Sequence, residues 1–440
     1  MSKFNRRDFL KVSGGAVGAA TIATSGLSFA NTNLDSRGRV VVVGGGLGGA
    51  TAAKYIKRAD ASIDVTIIEP NKTYYTGFTS NLTLTGMVTM DQLGHTYEGL
   101  TAMGIKVVHD SVTEIGDKAV KTAGGGSYGF DRCVVSPGVD FKFVDGHSEE
   151  VANKSVTHAY KSGHQMNLLG EQIRGMKDGG TVVIAAPRNP FRCPPGPYER
   201  TSQIASYLKT HNPKSKIIVL DPKGKFSKFG LFREAWNIHY GFDPAADGSN
   251  DGSIIEWRKM TPLEEIDAAT NTAITEVDEV KGDVLNVIPD QKAGHVAHVN
   301  GLVDGDWCPV NLQTFESKKR ANIHVIGDSS AAKGLPKSGY AAASEAKVTA
   351  AAIVAALNGN SAPIPAYTNT CYSVVAPNDA FSVAAVYQLA ADHSKVMKVS
   401  GGLTPSGKNR NPAHREREVA YALSWYENIT TDAFSDGKKL

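Results

Sequence analysis

The chain has 440 residues and a formal net charge of +3, long enough for two or three domains, each with its own core. Lys3, Arg6, Arg7 and Lys11 against Asp8 account for that whole charge. The remainder is near neutral, which argues against a nucleic-acid or anionic-membrane partner.

Residues 1–30 read as an export leader. Arg6-Arg7 followed by Phe9-Leu10-Lys11 has the twin-arginine pattern, and the apolar run from Val12 to Leu27 is too rich in Gly, Ala, Ser and Thr for a membrane span. Ser28-Phe29-Ala30 supplies small residues for cleavage after Ala30. The expectation is a periplasmic protein exported folded, with its cofactor already taken up. No later run reads as a transmembrane helix, so stable membrane insertion is not expected.

Arg39 to Gly49 organises the rest of the chain. Four consecutive valines predict a buried parallel strand. Gly44, Gly46 and Gly49 have the G-x-G-x-x-G spacing around Leu47, a helix-forming segment comes next, and a second strand, Asp64 to Glu69, ends in an acid. Gly44 allows the tight turn, Gly46 lets backbone approach a pyrophosphate, and Gly49 lets helix and strand pack closely. The helix start offers free N–H groups to phosphate, and Glu69 is placed to accept from a ribose.

Tyr74 and Tyr75 lie in an irregular segment expected to run along the cofactor. Ile105 to Val112 reads as a strand whose end, Val112, meets the adenine through its backbone. Lys118 to Tyr128 reads as a polar hairpin. Cys133 sits mid-strand, read as a buried apolar thiol, ahead of Ser136-Pro-Gly138, a strand ending in glycine. Downstream, Asn322 to Asp328 is another apolar strand ending in Gly327-Asp328, the aspartate expected on a ribityl chain. The helix after it, carrying Tyr340, should start at the pyrimidine end of a flavin, where its dipole favours the reduced ring. A nucleotide fingerprint, then strand-glycine, then Gly-Asp is an order that fits FAD better than NAD.

Residues 151–286 form an inserted unit. Gly180 to Ala185, Glu199 to Lys209 and Lys216 to Asp221 read as strand, helix and strand, yet the loop after the first strand holds prolines at 187, 190, 194 and 195. Proline removes backbone donors, so this loop cannot cradle a pyrophosphate. In its place stands Arg192-Cys193-Pro-Pro, where a cation and a helix start are expected to favour thiolate. Of the four cysteines (Cys133, Cys193, Cys308, Cys371) none forms C-x-x-C or C-x-x-C-H, so the chain carries no c-type haem itself. Distant cysteines in an exported protein can equally be structural disulfides. Cys371, in the C-terminal segment with Trp425, reads as a free buried thiol.

The predicted fold class is α/β: two Rossmann-like three-layer dinucleotide-binding domains arranged as in disulfide reductases, the second lacking a nucleotide fingerprint, plus a C-terminal α+β region. The expected boundaries are 1–30 for the leader and 151–286 for the degenerate NAD-binding-like domain. That domain interrupts an FAD-binding domain made of residues 31–150 and 287–366. Residues 367–440 are expected to form a C-terminal flavin and cytochrome interface.

Val43 to Gly49, the Tyr-Tyr-Thr segment, Arg192-Cys-Pro-Pro-Gly-Pro-Tyr-Glu199, Trp307-Cys308, His324 to Asp328, Asn369-Thr-Cys-Tyr-Ser and Ser424-Trp425-Tyr together carry a family likeness. The chain resembles the flavoprotein subunit of flavocytochrome c sulfide dehydrogenase. The resemblance implies oxidation of hydrosulfide at a redox-active disulfide, assigned by motif to Cys193 and Cys308, with Glu199 as candidate base and electrons passing through FAD to a c-type cytochrome. The family's flavin-linking cysteine is replaced by Gly77, which implies non-covalent FAD. A sulfide:quinone oxidoreductase, an NAD(P)H-dependent disulfide reductase, and a non-catalytic exported FAD protein are the other readings. The polar C-terminus from Asp432 weighs against the first of these, and the missing second fingerprint against the second.

Overall fold

The computed structural model describes residues 37–161, 163–245 and 252–435; the predicted leader lies outside them. The first half opens with β1 (Arg39–Val43), α1 (Leu47–Ala59), β2 (Asp64–Ile68) and β3 (Lys106–Val108). β-branched runs that bury on both faces favour parallel strands, and Val42 and Ile67 are fully buried. The single strand expected over 105–112 is two, because Val112 begins a separate antiparallel hairpin with Ala119–Thr122. β4 (Arg132–Val135) then pairs with β1, Val43 standing opposite both Ile68 and Val135.

The second unit contains β5 (Thr181–Ala185), α2 (Gly196–His211), β6 (Lys216–Asp221), α3 (Phe229–Tyr240), β7 (Ile255–Lys259) and β8 (Val284–Val287). Its strands form a parallel sheet in the order β7-β6-β5-β8. The chain then returns through β9 (Ile323–Val325) to complete a parallel sheet of order β9-β4-β1-β2-β3. This is the expected pair of dinucleotide-binding folds.

α4 (Gly339–Leu357) comes next, capped by the Ser338 hydroxyl accepting from Ala341 N–H at 3.1 Å. Contrary to the expectation of no later apolar span, α4 is long and apolar enough to cross a membrane by length and composition. Its alanine-rich face packs against α1 in this fold. The C-terminal region is an antiparallel meander, β10 (Ala366–Ala376), β11 (Asp379–Leu389) and β12 (Val396–Leu403), covered by α5 (Pro412–Phe434).

A buried ion cluster attaches α5 to this meander and to α3. Arg415 donates from Nε to Asp379 Oδ1 at 2.6 Å, and both side chains are 1% exposed. Arg410 and His239 approach the other Asp379 oxygen at 2.9 and 2.7 Å. Burial alone would raise the Asp379 carboxyl, but His239, Arg415 and Arg410 hold it below the usual carboxylate range. A depressed carboxyl stabilises the fold above its unfolded pKa, and that contribution is lost as pH falls. Arg415→Met removes one of the three cationic partners of a buried carboxylate, leaving Arg410 and His239, and should lower the unfolding free energy by about 1.5–3 kcal/mol, measured by urea titration at neutral pH.

Candidate active site

The first βα turn is shaped by backbone contact. Gly44 has φ 94°, and a side chain there would press its Cβ within 2.4 Å of the Ser136 carbonyl oxygen. A Cβ at Gly49 would sit 1.9 Å from the Gly44 oxygen, so this glycine supports the turn from behind and does not line the cavity. α1 begins after Gly46 with no side-chain cap, leaving its first N–H groups for an anion. Gly44, Gly46, Leu47, Glu69, Val112, Gly138, Gly327 and Asp328 all line one elongated cavity of about 640 Å³. Glu69 accepts from Gly45 N–H at 2.9 Å and from Asn71 N–H and Nδ2 at 2.9 and 2.7 Å, so it also braces the glycine turn.

At one end this groove meets a second, small cavity of about 80 Å³; Tyr74, Gly77, Arg192, Asp328 and Gly339 belong to both. Tyr340 and Trp425 line the small cavity, and so do Cys193 and Cys371. Cys193 precedes α2 with φ 50°, in the left-handed region, a conformation that costs a non-glycine residue free energy. Its N–H donates to the Lys337 carbonyl at 2.7 Å, and its carbonyl accepts from Gly196 N–H at 2.7 Å and Tyr160 O–H at 3.2 Å. Burial pushes the Cys193 thiol up; Cys371 and Glu199 add to this, while Arg192 and Lys228 oppose it. Desolvation outweighs the neighbouring cations here and weighs against the thiolate expected at Cys193.

Cys308 is elsewhere. It is fully buried in the core of the first unit. Its N–H donates to Ser329 O at 3.0 Å and its carbonyl accepts from Ala331 N–H at 2.8 Å. Burial pushes its thiol up to about 12, with Lys337 opposing. All four cysteines, Cys133, Cys193, Cys308 and Cys371, are free thiols in this structure; Cys308 does not line the small cavity. Cys371, and not Cys308, lines the small cavity beside Cys193, carried there by β10, which packs against α2. Asn369-Thr-Cys371-Tyr-Ser stands out in the sequence, but strand spacing carries no record of which loop faces it.

Glu199, in the first turn of α2, accepts from Asn81 Nδ2 at 2.9 Å and from Val374 N–H at 3.0 Å. Burial raises its carboxyl, with Asn81, Val374, Lys228 and Arg200 pulling the other way. Arg200, which no sequence motif marks, lines the small cavity and is 2% exposed. It donates to Asn81 Oδ1, Asn286 Oδ1 and the carbonyls of His158 and Ala159 at 2.6–3.1 Å.

Three family models match. Residues 166–289 match the central region of the flavoprotein chain of sulfide dehydrogenase (flavocytochrome c), and residues 363–434 match the flavin-binding region of flavocytochrome c sulphide dehydrogenase. Residues 38–172 match pyridine nucleotide-disulphide oxidoreductases. A 38-residue stretch, 9% of this chain and 79% of the other sequence, is 58% identical to the sulfide dehydrogenase flavoprotein chain of Chlorobaculum thiosulfatiphilum. The chain belongs to the flavocytochrome c sulfide dehydrogenase and sulfide:quinone oxidoreductase group of flavoproteins. The mitochondrial sulfide:quinone oxidoreductase of Mus musculus is 24% identical over 323 residues, 69% of this chain and 67% of that one. The sulfide:quinone oxidoreductase structure from Aquifex aeolicus superposes with a TM-score of 0.66 at 18% identity, over 91% of this chain and 93% of that one.

The residues of this flavoprotein fit FAD. Asp328 Oδ1 is buried in the groove without a hydrogen-bond partner, and Trp425 Nε1 is buried in the same condition. A buried acceptor and donor left unpaired are costly, and a ribityl hydroxyl and a ring acceptor are the kinds of group that satisfy them. The uncapped start of α1 suits the pyrophosphate. Asp328→Ala should weaken FAD retention roughly 10- to 100-fold, the scale of a hydrogen bond to a buried charged group, measured by fluorescence of released flavin during dialysis.

Proposed function

We propose that this flavoprotein oxidises hydrosulfide at a thiol pair formed by Cys193 and Cys371. One observation carries the reading: both cysteines line a small cavity that opens directly into the dinucleotide groove. Hydrosulfide attacks one sulfur of the oxidised pair, and the reaction leaves a persulfide and a thiolate. Glu199, with its carboxyl raised by burial, holds or releases a proton beside Cys193. Arg192, Arg200 and Lys228 supply positive charge for the anionic sulfur. FAD, when bound, supplies a two-electron sink that can discharge one electron at a time.

The acceptor we propose is a c-type cytochrome. Tyr340 and Trp425 stack at 6.3 Å between ring centroids with an interplanar angle of 16°. Both also line an outer cavity of about 630 Å³ beside Tyr372 and Tyr421. Aromatic side chains thus bridge the thiol cavity and the surface, a fitting exit for single electrons. The sulfide:quinone oxidoreductase relatives favour a quinone as the second reading, and parallel assays with cytochrome c and a soluble quinone analogue separate the two. The twin-arginine pattern at Arg6-Arg7 is the sequence feature that supports a periplasmic setting.

Gly77 stands where the two cavities meet and offers no sulfur to the flavin, which supports non-covalent FAD. Acid precipitation should leave the yellow colour in the supernatant; colour retained in the washed pellet would show a covalent bond. Anaerobic sulfide should bleach the flavin absorbance of the wild type. Cys193→Ser and Cys371→Ser should each abolish bleaching, and Cys308→Ser should retain it. Bleaching that survives in Cys371→Ser and disappears in Cys308→Ser would restore the pairing expected from the motif.

A further inference from the structure

The two sulfurs in the small cavity have unequal surroundings. Cys193 has its backbone held by hydrogen bonds, and its sulfur feels a buried carboxyl, Glu199, against Arg192 and, more weakly, Lys228. Cys371 has a lysine aimed at its sulfur. Lys228 Nζ donates to the Cys371 carbonyl at 2.9 Å and to Ser373 Oγ at 3.0 Å, and it stands 3.7 Å from Cys371 Sγ. None of these three hydrogen-bond partners is a carboxylate; Glu199 acts on the ammonium only through space. The side chain is buried, and the ring of Phe381 lies 5.6 Å from the ammonium. Lys228 stands immediately before α3 with φ 59°, a backbone conformation that a lysine adopts only at a cost in free energy. A buried ammonium bonded only to neutral groups has the greatest gain from an anion forming beside it.

We infer that Lys228 decides which sulfur of the pair receives the substrate, by making Cys371 the leaving thiolate and Cys193 the carrier of the persulfide. The inference rests on the thiol-pair reading above. In the step, hydrosulfide attacks Cys193 Sγ and a new S–S bond forms. The Cys193–Cys371 bond breaks, and its electron pair goes to Cys371 Sγ. Hydrosulfide plus disulfide becomes the Cys193 persulfide plus the Cys371 thiolate. One negative charge enters and one remains, and the substrate sulfur is oxidised at the expense of the disulfide. Thiol exchange is faster when the departing thiolate is stabilised, so the ammonium on Cys371 biases the choice of the sulfur attacked.

The test uses the full-length, FAD-loaded protein, anaerobic sodium hydrosulfide and rapid quenching with an alkylating agent, followed by peptide mass mapping. In the wild type the added sulfur should map to Cys193. Lys228→Met should form persulfide about tenfold more slowly, the scale of one charge-assisted hydrogen bond, and should distribute it over both cysteines. Lys228→Arg keeps a cation and should restore the site choice. Mapping to Cys371 in the wild type overturns the inference whether or not any variant folds, as does an unchanged rate and site in Lys228→Met. Oxidised wild-type protein without a Cys193–Cys371 disulfide would instead remove the thiol-pair reading, and this inference with it.

Discussion

The hydrogen bond from Cys193 N–H to the Lys337 carbonyl, 2.7 Å long, is the constraint on which the site depends. Cys193 belongs to the inserted unit, and Lys337 to the return of the chain into the first. The bond holds Cys193 in a left-handed conformation and lays the proline loop against the groove. Lys337 is anchored in turn: its Nζ donates to the carbonyls of Asp328 and Ser330 at 2.8 Å and lies 3.7 Å from the centroid of the Trp307 ring. Burial lowers this ammonium to about 8, with Asp328, Glu345 and Cys308 opposing. One short chain of contacts therefore sets the Cys193 sulfur relative to the turn that carries Asp328.

Around that join the interior is unusually polar. Arg200, Lys228 and Glu199 are all buried. Each is surrounded by carbonyls, amides or hydroxyls instead of a single opposite charge. Desolvating ions costs several kcal/mol each unless hydrogen bonds satisfy them, and here the bonds come from β10, Asn286 of β8, Asn81 and the carbonyls of His158 and Ala159. The same bonds that make the charges tolerable lock these separate parts of the chain to α2 and α3. Stability and the electrostatics of the thiol pocket are thus one arrangement, and removing either partner disturbs both.

The degenerate second dinucleotide fold shows how a loop changes use. Its sheet and crossover helix are intact, but the N–H groups of Arg188, Arg192 and Cys193 are spent on Asp290, Gln291 and Lys337. Those three donors are turned inward and are not offered to a pyrophosphate. It presents a sulfur and a guanidinium instead, at the end of the strand where such folds place their ligands.

The four valines, the glycine spacing and the terminal acid make the first half legible, because strand burial and a tight turn depend on residues close in sequence. The Gly327-Asp328 turn and the proline loop are legible for the same reason. Which second sulfur lines the small cavity is not. Cys308 lies near Gly327 in sequence, yet its strand-like pairing with Ser330 buries it in the core. Cys371 is 178 positions from Cys193, and only the packing of β10 against α2 brings it into the cavity. The state of the Cys193 thiol is hidden for a related reason: Arg192 is visible beside it in the sequence, whereas the desolvation that outweighs that charge belongs to the folded surroundings. Local backbone chemistry is written in consecutive residues; pairing across the fold and the dielectric of a cavity exist only once distant segments have packed.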